Sequence, residues 1–173
     1  MRGADTMDFK AAQNFWVEKD RAGRKMPEGE LLSAMEAYVN AHTTMALATG
    51  TGDFIRNTPL EYVWYQGAFW VLSEGGLKFV GLEKNPKVCI AIFDPLEKGC
   101  HGLQVMGKTE IIAPASETYT SYLKYRHINP AVFKNLPYPM PLLRIVPVSA
   151  DYLDFSLAAK GYSRRQHYKF AEC

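Results

Sequence analysis

The amino-acid sequence predicts an α+β domain that is mainly β, a barrel of roughly six or seven mostly antiparallel strands with peripheral helices. Three observations predict it. From Thr58 onward, alternating residues share a character at period two, the spacing of a half-buried strand. Helical spacing is confined to short stretches that never alternate with strands in a βαβ rhythm. The chain's 173 residues, 47% of them hydrophobic, can bury one core without staples.

The elements follow in order. Phe9, Phe15, Trp16 and Val17 form a short amphipathic stretch, read as a loosely attached N-terminal helix before a linker over residues 21–30. Leu31, Leu32, Met35, Tyr38 and Val39 mark one face of a helix whose start is acidic. Residues 43–49 form a short buried strand. Thr58, Leu60, Tyr62 and Trp64 then alternate with Pro59, Glu61, Val63 and Tyr65 in a strand that turns at Gln66-Gly67 into residues 68–73. Glu74-Gly75-Gly76 ends the hairpin. A short helix over 77–83 and strands over 87–93 and 102–112 come next. Helices over 114–126 and 129–135 precede two closing strands, 142–148 and 151–155. The whole reads as one domain over residues 1–173. Residues 1–30 are a helical extension, 31–156 the barrel core and 157–173 a basic tail.

Charge narrows the function classes. Lys and Arg total 20 against 18 Asp and Glu, a net +2 that lacks the basic excess of a nucleic-acid binder. The excess lies at the end, where Lys160, Arg164, Arg165 and Lys169 face only Glu172 within residues 160–173. A solvated tail is the expected reading, because terminal segments are usually mobile. Cys89, Cys100 and Cys173 have no disulfide or Cys-x-x-Cys spacing and fit a reducing cytoplasm. No apolar run reaches the length of a membrane span, and Asp5, Asp8 and Lys10 interrupt the start of the chain.

Gly50-Thr51-Gly52 follows a strand, but Ile55 stands where a dinucleotide-binding motif needs its third glycine, so a loop between strands is expected. Arg56-Asn57-Thr58-Pro59 offers a guanidinium fork and two short polar side chains, or simply an exposed loop arginine. Ser73-Glu74-Gly75-Gly76-Leu77-Lys78 combines a hydroxyl, two glycines that admit a ligand to the backbone, a helix start and a lysine. Those are components of a phosphate site, and equally of a plain turn. His101 has no second metal ligand at helical or hairpin spacing and is expected to face solvent. No metal site and no catalytic residue stands out.

In order and spacing these pieces resemble the pyridoxamine 5'-phosphate oxidase-like family. The resemblance runs through Met45-Ala46-Leu47-Ala48-Thr49, residues 53–62, residues 69–78, Asn85-Pro86-Lys87-Val88 and residues 103–109, roughly residues 31–150 of the chain. It implies an FMN-binding split β-barrel, and a homodimer with two FMN molecules at its interface. Arg56 and Lys78, helped by Ser73 within the loop of Glu74, Gly76 and Leu77, would hold the FMN phosphate. Asn57, Thr58 and Pro59 would line the isoalloxazine edge, and Gln104 would reach the flavin from a neighbouring strand. The alternative to a solvated tail is that Arg164, Arg165 and His167 fold back to the flavin site and meet an anionic small-molecule substrate. Glu74 replaces a hydroxyl residue common in the family's phosphate loop, and the C-terminal run does not match the signature that holds pyridoxamine phosphate. The expected function is therefore an FMN-dependent oxidoreductase of unknown small-molecule substrate. The alternatives are a pyridoxamine/pyridoxine 5'-phosphate oxidase, or a non-catalytic binder of flavin or haem, with His101 or His167 as axial ligand. No nucleic-acid or membrane partner is expected.

Overall fold

The computed structural model describes residues 8–95 and 99–171. Its helices are α1 (Phe9–Ala22), α2 (Glu28–Asn40), α3 (Lys78–Leu82) and α4 (Glu117–Tyr125). The strands are β1 (Thr44–Thr51), β2 (Phe54–Glu61), β3 (Val63–Tyr65), β4 (Ala68–Leu72), β5 (Lys87–Phe93), β6 (His101–Ile112), β7 (Leu142–Asp154) and β8 (Arg165–Lys169). They form one antiparallel sheet in the order β2-β1-β5-β6-β7-β4-β3, with β8 beside β7.

The expected hairpin is present in part. Gln66 and Gly67 have φ of 50° and 70°, the left-handed pair that matches the twist of two short strands. The strand before it is not continuous. The chain breaks at Tyr62, and β2 and β3, consecutive in sequence, lie at opposite edges of the sheet. The sheet therefore curls until its two edges approach at Tyr62 without pairing there, which makes it a split barrel. Tyr62 is buried, donates its N–H to Thr43 O at 2.9 Å, and donates its hydroxyl to Val39 O at 2.7 Å. Those two bonds tie the seam to the end of α2.

The two closing strands expected from sequence are one. β7 pairs β6 along its length, with a register shift opposite Met106 and Gly107 that leaves Val148 as the extra residue. A Cβ on Gly107 would lie 2.9 Å from Ile145 Cγ2, so only glycine allows this approach. The bulge bends β7, whose first half pairs β4 and whose second half pairs β8. β8 was expected to be solvated tail. Instead Gln166, 1% exposed, anchors it by accepting from Met26 N–H at 2.9 Å.

Alternation sorts the faces. Leu47, Phe69, Val71, Ile90, Ile92, Leu103, Val105 and Ile145 fill the barrel, and α2 covers them with Leu31, Met35, Tyr38 and Val39. A second cluster joins the other face of β4 to α4 through Trp70, Tyr119, Tyr122 and Leu123. α4 starts later than expected because the Ser116 hydroxyl accepts from Tyr119 N–H at 3.2 Å and caps it. α1 exposes Phe9, Phe15 and Val17. No helix among the described residues is long and apolar enough to cross a membrane. Cys89 and Cys100 are free thiols, and Glu172 and Cys173 lie outside the described residues.

Candidate functional site

The phosphate-site residues expected from two separate motifs meet where α3 packs on β1 and β2. In the β1–β2 ladder Thr49 lies opposite Arg56 and Leu47 opposite Thr58. Residues directly opposed share a face, and Leu47 is fully buried. Arg56 and Thr58 therefore lie on the barrel-facing side of β2, at the end that α3 covers. Gly81 makes that cover close, since a Cβ there would stand 3.0 Å from Gly50 N and 3.3 Å from Thr49 Cβ. Lys78, three residues earlier on the same helix face, is brought beside this end of the ladder.

Lys78 is only 5% exposed. Its ammonium donates to Gly75 O, which the loop turns toward it by placing Gly75 and Gly76 at φ of 98° and 99°. Ser73, also buried, shapes that turn: its N–H donates to Pro141 O at 2.9 Å and its hydroxyl accepts from Gly75 N–H at 3.1 Å. Tyr138 donates to Glu74 O at 2.7 Å, which braces the loop from outside. Leu77 is exposed. Burial and then the charge of Arg56 push the Lys78 amine below its ordinary range, against a smaller opposing effect of Glu74. Neither Arg56 nor Lys78 forms a salt bridge among the described residues. Two hydroxyls at this junction, Thr49 Oγ1 and Thr58 Oγ1, are buried without a hydrogen-bond partner. Two close cations without a salt bridge among the described residues are chemistry that suits an anion such as a phosphate. Thr49 escaped the sequence reading, because a threonine within a strand looks like any β-branched residue.

The other expected residues lie on the outer face of the sheet. Asn57 and Pro59 point there, opposite Ala48 and Ala46. One register row runs Pro59, Ala46, Ala91, Gln104, Asp151, His167 across six strands. Gln104 and Arg165 line one groove of about 390 Å³ with Phe93, Asp94, His101 and Asp151. Arg165 is engaged there, 3.2 Å from Asp20 of α1. His167 stands between Asp151 and the same Asp20, the latter at 3.8 Å. Arg164 instead packs over Phe155, 4.6 Å from its ring centre.

His101 does not simply face solvent. Its Nε2 lies 2.7 Å from Asp154 Oδ1, its register partner on β7. Burial works against the Asp154 charge, but bonds from Ser156 and from His101 hold its carboxyl below the ordinary range. Asp94 meets His42 at 3.2 Å and accepts from the Tyr38 hydroxyl at 3.0 Å. The His42 bond is the largest cause that holds Asp94 low, helped by Tyr38 and by the His42 and His101 charges. This network joins α2 to the ends of β5, β6 and β7.

No protein-family model matches the chain, and neither does any curated protein. Solved structures do. An FAD-binding protein of Mesorhizobium loti is 20% identical over 68% of this chain and 89% of its own, with a TM-score of 0.53. A Clostridium acetobutylicum protein of the pyridoxinephosphate oxidase family, related to a general stress protein of B. subtilis, is 16% identical over 84% of this chain and 97% of its own, with a TM-score of 0.56. The haem-storage protein HutZ of Vibrio cholerae is 18% identical over 66% of this chain and 88% of its own, with a TM-score of 0.54. Likeness at these identities speaks for the fold: the chain has the split-barrel fold of pyridoxamine 5'-phosphate oxidase-like proteins.

Proposed function

We propose that this protein is an FMN-binding, flavin-dependent oxidoreductase acting on a small molecule, and that it works as a homodimer in the cytoplasm. The observation that carries the reading is the cradle of Arg56 and Lys78, two cations held close with no salt bridge among the described residues and only a smaller opposing effect of Glu74. Such a pair costs stability unless an anion joins it, and a phosphate near pH 7 brings close to two negative charges. FMN, when bound, supplies hydride and electron transfer.

The chain's own part is binding and orientation. Arg56 and Lys78 grip the phosphate, and Ser73 holds the Gly75–Gly76 turn open for it. Among the described residues β2 pairs only with β1, so no strand covers its other edge. A flavin anchored on the α3 side passes around that edge to the outer face, where Asn57 and Pro59 present themselves. A recess of about 420 Å³ lined by Ala48, Ile55, Cys89 and Met106 lies beside Asn57 there. Gln104 bounds the neighbouring groove, in which a substrate would sit, and Arg165 and His167 stand at its β8 side.

The dimer reading rests on the same outer face. Ile55, Phe93 and Met106 are 83%, 69% and 50% exposed, with Ala46, Ala48 and Ala91 between them. An exposed apolar face of this kind is suited to a second copy.

The haem-storage neighbour suggests the competing cofactor. An absorption spectrum of the purified protein, before and after separate additions of FMN and haemin, separates the two. Isoalloxazine bands that persist through desalting are the expected result. A Soret band with no flavin uptake would replace the reading by haem binding, and no uptake of either would end both.

A further inference from the structure

The N-terminal helix α1 rests on the barrel through charge. Among its described side chains only Asp20 is not exposed, and Phe9, Phe15 and Val17 stand out in solvent. A helix of 14 residues is marginal in water unless tertiary contacts hold it. Here the Asp20 carboxylate accepts from Arg165 Nη1 at 3.2 Å and lies 3.8 Å from His167 Nε2. The chain just after the helix is fixed by separate bonds. Arg24 O accepts from Ser163 N–H at 2.9 Å, and Met26 N–H donates to Gln166 Oε1 at 2.9 Å. Gly23, which ends α1, packs so closely on Ser163 that a Cβ there would overlap the Ser163 hydroxyl. Letting go of Asp20 therefore frees α1 up to Gly23 and leaves β8 in place.

The two cations that Asp20 engages are the ones a ligand in the neighbouring groove would meet. Arg165 lines the groove of Gln104, and His167 follows it on the same outer face of β8. His167 also bonds Asp151, its register partner on β7, and that bond does not involve α1. A guanidinium fork recognises an oxyanion, and a carboxylate of the chain itself now takes that place. The pair is weak, since Arg165 and His167 are 45% and 46% exposed, which suits a contact that has to be exchanged. Resting on the reading of this groove as the substrate site, we infer that α1 is an autoinhibitory strap: Asp20 occupies the anion site of Arg165 and His167, and an anionic substrate enters by displacing it.

The test is an NMR titration with inorganic phosphate, read at the His167 ring, with hydrogen exchange of residues 9–22 followed in the same samples. Phosphate replaces chloride at constant ionic strength, so screening does not change. In the wild type, phosphate shifts the His167 signals and speeds exchange across α1 severalfold. In Asp20→Asn, exchange is fast from the start and phosphate binds about fivefold more tightly, the scale of losing one weak internal competitor. In Arg165→Gln, α1 is released and phosphate no longer shifts His167. Equal phosphate affinity at His167 in the wild type and Asp20→Asn overturns the inference. So does α1 exchange in the wild type that phosphate leaves unchanged, a comparison that needs no variant. None of these readouts requires flavin. A protein that takes up no FMN in the spectral test overturns the flavin reading, while the titration still decides the strap.

Discussion

Lys78 is buried beside the charge of Arg56, which Glu74 offsets only in part, and this makes its charge costly in the ligand-free protein. Lys78→Met keeps the length and apolar stem while removing the charge. Thermal unfolding should show the variant at least as stable as the flavin-free wild type, with a midpoint up to about 2–4 °C higher, the shift expected for roughly 1 kcal/mol in a chain of this size. A midpoint that drops by several degrees would mean the ammonium is a structural donor to Gly75 and little else. Asp154 and Asp94 behave in the opposite way. Both carboxyls are held below the ordinary range, so each contributes stability that is fully present above the unfolded-state carboxylate pKa of about 4 and is lost as pH falls through the lower folded value. The protein should therefore lose stability steeply below about pH 4, and Asp154→Asn should flatten part of that slope while destabilising the neutral protein by about 1–3 kcal/mol. Denaturant melts across pH check it; an unchanged acid slope would remove Asp154 from the account. At this scale charge was legible in the sequence. Arg56 and Lys78 stood out because a guanidinium beside short polar residues and a lysine after paired glycines are unusual combinations. The pairing of His101 with Asp154 was not legible, because 53 residues separate them and only the β6–β7 register brings them together.

Elements were read with similar unevenness, for reasons that lie in the backbone. β5 ends where period two and residue type say it should, because Val, Ile and Ala alternate without interruption. β7 hid behind Pro147 and the Val148 bulge, which together look like a break in a strand yet are what bends it toward both β4 and β8. β2 and β3 looked continuous because alternation passes unbroken through Tyr62, and pattern carries no information about which neighbour a strand pairs with. β8 was disguised by its charge: Arg165, His167 and Lys169 face outward while Gln166 alone is deeply buried. A polar residue as the anchor of an edge strand gives no hydrophobic signal.

On the scale of the whole molecule, curling the sheet gives it two useful surfaces. The inner surface is the core, with Arg56 and Lys78 at the corner where α3 packs on β1 and β2. The outer surface is apolar at Ile55, Phe93 and Met106 and polar where the groove of Gln104 and Arg165 begins. If that face joins two copies, Ile55→Asp combined with Met106→Asp should yield a folded monomer in analytical ultracentrifugation, with weakened FMN retention because the flavin then loses the wall supplied by the partner. A wild type that sediments as a monomer at micromolar concentration would contradict the dimer. Barrel class, strand alternation and the α2 face were legible from sequence; the curl that brings Arg56, Lys78 and Thr49 to one corner was not.

The proposed function stands or falls with this corner holding the phosphate of FMN. The most direct measurement is the ratio of FMN to riboflavin affinity, by flavin fluorescence titration, in the wild type and in Lys78→Met. A strong preference for FMN in the wild type and a ratio near one in the variant, with riboflavin affinity unchanged, is the expected result. Equal affinity for the two flavins in the wild type, or a preference that survives the loss of Lys78, would contradict it.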